Sequence, residues 1–164
     1  MKEICLVFVC WALLGVAQPV LGQVELRGGV GMIFDGTQPG IHGSLILPFS
    51  SKPAGLLASV EYYKKSGVTT VPVTARGLYN INVGESTKAY FGVGSGVIYI
   101  STGTGFLQDS STKAIMSGVF GIKGKAEGAF GFFGQVSVER ALTSGASTEL
   151  AAQAGVYVTF IEDD

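Results

Sequence analysis

From residue 23 onward the chain alternates. Eight successive segments place their large apolar side chains on one parity and their polar side chains on the other. In the first, Val24, Leu26, Val30, Met32 and Phe34 share a face, while Glu25, Arg27 and Asp35 take the opposite one. In the last, Leu150, Ala152, Ala154, Val156, Val158 and Phe160 stand against Glu149, Gln153 and Tyr157. A period of two is the mark of a half-buried strand. The spacing predicts strands over 23–35, 40–50, 54–65, 70–82, 87–101, 113–125, 129–141 and 148–161. Turn chemistry separates them: Gly36-Thr37-Gln38-Pro39, Ser51-Lys52-Pro53, Ser66-Gly67-Val68-Thr69, Val83-Gly84-Glu85-Ser86, the longest gap from Thr102 to Thr112, Ala126-Glu127-Gly128, and Leu142 to Ser147. An even number of alternating strands closes into a sheet without edges, so the expected fold is all-β: an eight-stranded antiparallel up-and-down barrel suited to crossing a membrane.

Residues 1–22 read differently. Lys2 precedes an unbroken apolar run from Ile4 to Ala17, Pro19 breaks any helix, and Val20-Leu21-Gly22 suits a signal peptidase. This predicts a signal peptide over 1–22 and a barrel domain over 23–164, with Ala17 as a second cleavage position. An uncleaved anchor is the alternative, but the run only approaches the roughly 20 residues a helix needs to span, and Gln18-Pro19 interrupts it. Both cysteines, Cys5 and Cys10, fall in the leader, so residues 23–164 can form no disulfide.

Composition supports a lipid-facing surface. Charged residues make up 14% of the chain, below the roughly 25–35% that a water-facing surface uses. The formal net charge is −1 and no basic stripe exists, which argues against nucleic acid as a partner. The 25 glycines follow no fixed period, excluding collagen-like or solenoid repeats. They fit curved strands instead.

Alternation does not say which face points inward, because a soluble lipocalin-like barrel alternates too. Aromatic placement does. On the apolar parity, Phe34, Tyr62 and Tyr99 lie at one level and Phe49, Tyr79, Phe91, Phe130 and Phe160 at the other, with mainly aliphatic residues between. Two aromatic girdles around an aliphatic band match a bilayer. The apolar face is therefore expected outward. The lumen then receives Glu25, Arg27, His42, Ser44, Ser59, Glu61, Thr74, Arg76, Lys88, Tyr90, Lys123, Gln135, Ser137, Glu139, Gln153 and Tyr157. Of these, Glu25, Arg27, Glu61, Arg76, Lys123, Gln135 and Glu139 form the expected polar network, in which opposite charges offset each other's desolvation. A hairpin tip at Val68-Thr69 would set Glu61 directly opposite Arg76. Gly92, Gly94 and Gly96 face inward and are expected to leave space for neighbouring long side chains. Eight strands enclose only enough room for side chains, so a plugged lumen is expected.

The fifth segment, Ala89-Tyr90-Phe91-Gly92-Val93-Gly94-Ser95-Gly96-Val97, and the closing spacing of Gln153, Gly155, Val158 and Phe160 resemble the small outer-membrane barrels of Gram-negative bacteria, the porin-like superfamily with OmpA- and OmpX-type barrels. The resemblance implies an outer-membrane location and contact with outer-membrane lipid. It also implies that Gln153, Gly155, Val158 and Phe160 engage the barrel assembly machinery. Ile161-Glu162-Asp163-Asp164 follow the aromatic on which family members commonly end.

Three function classes remain open at this stage. The expected one is a non-catalytic barrel with a structural, surface-interaction or minor permeability role, without cofactor; the ligand of its surface loops is unspecified. An envelope lipid-modifying enzyme would need a nucleophile, a base and an acid. His42, Ser44 and Glu25 could supply them, but on the lumen parity, where acyl chains have no access. A secreted soluble barrel binding a small apolar ligand is the third class.

Overall fold

The computed structural model describes residues 24–49, 53–103, 109–126, 128–143 and 145–160. The expected signal peptide over 1–22 lies outside the described residues, as does Ile161–Asp164. Eight strands follow in order: β1 (Val24–Ile33), β2 (Gln38–Pro48), β3 (Ala54–Lys65), β4 (Val68–Asn82), β5 (Thr87–Thr102), β6 (Asp109–Lys125), β7 (Phe130–Ala141) and β8 (Thr148–Phe160). Each pairs antiparallel with the next, and β1 pairs with β8, closing the barrel. The predicted eight-stranded meander is therefore the observed fold.

The differences lie at the turns. Gln38 and Pro39 were expected in a turn but pair with Ile33 and Met32. The reversal is carried earlier, by residues 34–37, with Gly36 and Thr37 at φ 73° and 51°. The tip of the third hairpin is Ser66-Gly67, not Val68-Thr69. Both tip residues have positive φ, 49° and 80°, the geometry of a tight two-residue turn whose twist matches the strands. Val68 and Thr69 thus extend β4. Asp109 to Thr112 were expected in the longest loop but pair with Thr102 to Tyr99, lengthening β6.

The shifted tip changes the register of β3 on β4, so that Arg76 lies opposite Leu57 and not opposite Glu61. The ladder of paired residues runs from Ala54 to Val60 and resumes only at Tyr63. Pro72, which has no N–H to donate, falls in this gap.

Outside, the barrel is apolar as expected. Val93 is 74% exposed, and Val30, Ile41, Met116 and Phe132 are all exposed. Both expected girdles are exposed along their whole membership: Phe34, Tyr62 and Tyr99, then Phe49, Tyr79, Phe91, Phe130 and Phe160. Phe120 adds to the second girdle, directly opposite Phe91 in the β5–β6 register. A closed ladder wrapped in apolar side chains is a surface for lipid.

The inward glycines of β5 have a role different from the expected one. A Cβ on Gly94 would strike the carbonyl oxygen of Ala75 and the Cα of Arg76, and one on Gly96 the carbonyl of Val73. A Cβ on Gly92 would meet Leu78 and the carbonyl of Gly77. These glycines let the backbone of β4 curl close against β5, and only secondarily leave room for side chains.

The face assignment generates a direct test. Val93→Arg should destabilise the inserted barrel by about 2–4 kcal/mol, the cost of a cation at the bilayer midplane, whereas Val93→Ala should cost much less. The folded fraction, read as heat-modifiable migration after refolding into liposomes, checks this.

Candidate functional site

Strand pleating sends one residue in two inward, and the polar parity of all eight strands converges on the barrel axis. The seven residues expected to form one network fall into two groups. The first surrounds Arg27, which is fully buried. Its Nε donates to Glu25 Oε1 at 2.5 Å, and its Nη1 donates to the Tyr90 hydroxyl at 2.7 Å and to Gln135 Oε1 at 3.5 Å. Tyr90 in turn donates to Gln135 Oε1 at 2.8 Å. The guanidinium lies 4.6 Å from the Tyr90 ring centroid and 5.0 Å from that of Phe133, within cation–π range. Lys123 binds the other oxygen of Glu25 and lies 5.5 Å from the Tyr157 ring.

The second group surrounds Arg76. Its Nη2 donates to Glu139 Oε1 at 2.9 Å, its Nε to Ser117 Oγ at 2.8 Å, and its Nη1 to Ser59 Oγ at 3.2 Å. Glu61, the partner expected from the sequence, stands 4.0 Å from Nη2. The two-residue shift of the hairpin tip explains the substitution: Arg76 takes its carboxylate partner from β7 across the lumen and finds Ser59, not Glu61, on its own hairpin. Glu61 is held otherwise, accepting from the Tyr63 hydroxyl at 2.5 Å and from Gln153 Nε2 at 3.0 Å. Gln153 Nε2 also lies 3.0 Å from Ser137 Oγ.

The charges balance across the two groups. Glu25 faces Arg27 and Lys123, leaving one surplus cation, while Arg76 faces Glu61 and Glu139, leaving one surplus carboxylate. Buried ions are tolerated only with such compensation.

Sequence reasoning assigned the apolar side chains outward and so missed an apolar layer inside. Ile46, Leu57, Leu78 and Val119 join the expected Tyr90 in one buried cluster, and Ile33, Tyr63 and Ala151 form another. Tyr63 and Ser117, both direct partners of the charged groups, were also missed. Their parity was the available signal, since each lies an even number of residues from an assigned lumen position. Lys88, expected in the lumen, is exposed at the mouth.

The four closing-strand residues occupy different surroundings in the closed barrel. Gln153 points into the lumen network. Gly155 lies opposite Gly29 at the seam, Val158 opposite Leu26, and Phe160 opposite Val24 with its ring 55% exposed.

His42 and Ser44 do meet, with Nε2 and Oγ 3.0 Å apart, and Glu61 Oε1 lies 3.6 Å from His42 Nδ1. Glu61 occupies the place that Glu25 would have had to take. Such a serine–histidine–carboxylate order is the arrangement of an activated nucleophile. Here His42 is 4% exposed, Ser44 6% and Glu61 2%. An acyl carbonyl must come within hydrogen-bonding reach of the serine oxygen, and burial of this depth denies it that approach. Among the described residues, no group of three His, Cys, Asp or Glu side chains could hold a metal ion.

No protein-family model and no curated protein sequence matches the chain. Solved structures do. The N-terminal β-barrel domain of Pseudomonas aeruginosa OprF superposes with a TM-score of 0.71 at 18% identity, covering 84% of this chain and 97% of that one. The chain has the fold of the small eight-stranded outer-membrane barrels. Neisserial surface protein A, NspA, is similar at a TM-score of 0.61 and 13% identity, covering 84% of this chain and 95% of that one. A de novo designed transmembrane β-barrel is similar at 0.53 and 14% identity, over 85% of this chain and 96% of the design. That a designed chain matches ties the likeness to barrel geometry.

Removing the Arg76 guanidinium would strand two buried carboxylates. Arg76→Ala should therefore destabilise the barrel by about 3–5 kcal/mol, and Arg76→Met combined with Glu61→Gln and Glu139→Gln should recover most of the loss. Urea unfolding in liposomes measures both.

Proposed function

We propose that this chain is a non-catalytic outer-membrane barrel protein with a structural or surface-interaction role, its lumen plugged by its own side chains. The observation that carries this reading is the charge-balanced polar interior, with Arg27 and Arg76 fully buried, inside an exterior of exposed aliphatic and aromatic residues. An open pore needs a continuous path for water along the axis, and the buried Arg27 and Arg76 groups interrupt it. The closed barrel fold supports an outer-membrane site, since only closed barrels and helices span bilayers. In this reading the end where β1 begins and β8 ends faces the periplasm, and the end with the turns 34–37 and 66–67 faces outward. Outer-membrane lipid is the partner of the apolar belt.

Envelope fractionation tests the reading. The full chain, expressed with its leader, should sediment with the outer membrane and migrate faster on gels before heating than after. In planar bilayers the purified protein should give no ion-conducting steps. Recovery as a detergent-free soluble protein would favour the secreted ligand-binding barrel, and regular conductance would overturn the plugged lumen.

The barrel assembly machinery is the second proposed partner, engaging β8. Phe160 and Phe130 stand in the same girdle, but only Phe160 is on the closing strand. Phe160→Ala should lower the folded fraction recovered from outer membranes several-fold, with Phe130→Ala having a much smaller effect. Equal losses in the two variants would assign Phe160 to the lipid interface alone.

A further inference from the structure

At the end of the barrel where β1 begins and β8 ends, the lumen widens into a vestibule of about 600 Å³. This volume lies in the range of small-molecule sites, roughly 300–1,000 Å³. Its two sides differ chemically. Ile46, Pro48 and Ala54, from β2 and β3, make one side apolar. Lys88, Lys123 and Lys125, from β5 and β6, make the other cationic. In the barrel order β4 separates these two strand pairs on one side and β7, β8 and β1 on the other, so the two arcs face each other across the mouth.

Two of these cations, Lys88 and Lys125, have no ion-pair partner among the described residues. Lys88 and Lys123 are direct cross-strand partners on the inward face, and like charges in that relation destabilise a sheet. Glu25 compensates Lys123, but it is already bonded to Arg27. Among the described residues no carboxylate comes within ion-pair distance of Lys88 or Lys125, although Glu85 also lines the vestibule. Below, Ile46 joins Leu57, Leu78, Tyr90 and Val119 in an apolar floor. Among the described residues the mouth is thus a blind, half-apolar cup with surplus positive charge on one side.

We infer that this vestibule binds a small amphipathic anion. A single phosphate or carboxylate head lies between Lys88 and Lys125, and a compact apolar body rests on the Ile46–Pro48–Ala54 arc. In the orientation proposed above the cup opens on the periplasm, and the ligand enters from there. The site adds a binding function at the barrel's inner end and does not depend on what the opposite end contacts.

The probe is 4-fluorophenyl phosphate, titrated by ¹⁹F NMR against the full chain in phosphatidylcholine nanodiscs, with empty nanodiscs as the blank. Folding is verified first by heat-modifiable migration, so a failure of binding leaves the barrel reading standing. Saturable binding is expected in the wild type. It should weaken about tenfold or more in Lys88→Gln/Lys125→Gln, the loss of a charge-assisted hydrogen bond. Lys64→Gln, which removes the same charge from the opposite end of the barrel, should bind as the wild type does. Inorganic phosphate should compete more weakly than the unlabelled phenyl ester, and 4-fluorophenol should not compete. Absence of saturable binding overturns the inference, as does binding that the double variant leaves unchanged. Competition by inorganic phosphate equal to that of phenyl phosphate means an adventitious ion only, and also overturns it.

Discussion

In hydrocarbon each unpaired backbone amide costs several kcal/mol, and an open eight-stranded sheet would present two full edges of them. Pairing of Val24–Ile33 with Ala151–Phe160 removes both edges at once. Everything else in the molecule presupposes that ladder. The apolar exterior can face lipid only because no donor or acceptor shows between its side chains. The polar parity is confined to an axis too narrow for bulk water, where ions survive only by finding one another.

This confinement explains the pattern of the interior. Arg27 and Arg76 each bond to side chains on several strands, so each ties together residues far apart in sequence, such as Arg27 with Gln135 and Arg76 with Glu139. A one-residue slip of β1 or β4 would send these charges into lipid and the apolar face of that strand inward. Burying such ions gains little net stability over well-packed apolar residues. Their effect is on choice: they make the inverted arrangement prohibitive.

The fold was legible because alternation and closure are both local patterns repeated along the chain. Val24 to Phe34 and Leu150 to Phe160 could be assigned to faces by counting alone. Register was less legible, because it turns on which residues adopt positive φ at a tip. Ser66-Gly67 and Val68-Thr69 both lie in turn-like sequence, and choosing between them moved Arg76 from Glu61 to Leu57. The split of the lumen network followed from that choice together with the reach of a long side chain, which spacing does not encode. The inward apolar residues Leu57, Leu78 and Val119 were hidden by a different cause: hydrophobicity was read as a sign of facing lipid, when a narrow lumen packs apolar groups as readily as polar ones.

At the closing seam Gly29 stands opposite Gly155, and a Cβ on either would collide with the neighbouring backbone. The line along which the two ends of the chain meet therefore has a bare point at its middle, where hydrogen atoms alone project inward. Bulky groups stand at the next inward position on either side, Arg27 with Tyr157 on one and Gln153, opposite Gly31, on the other. Such a join works like a zip with smooth teeth at the centre. There the backbones of the first and last strands meet with no side chain between them on the lumen side.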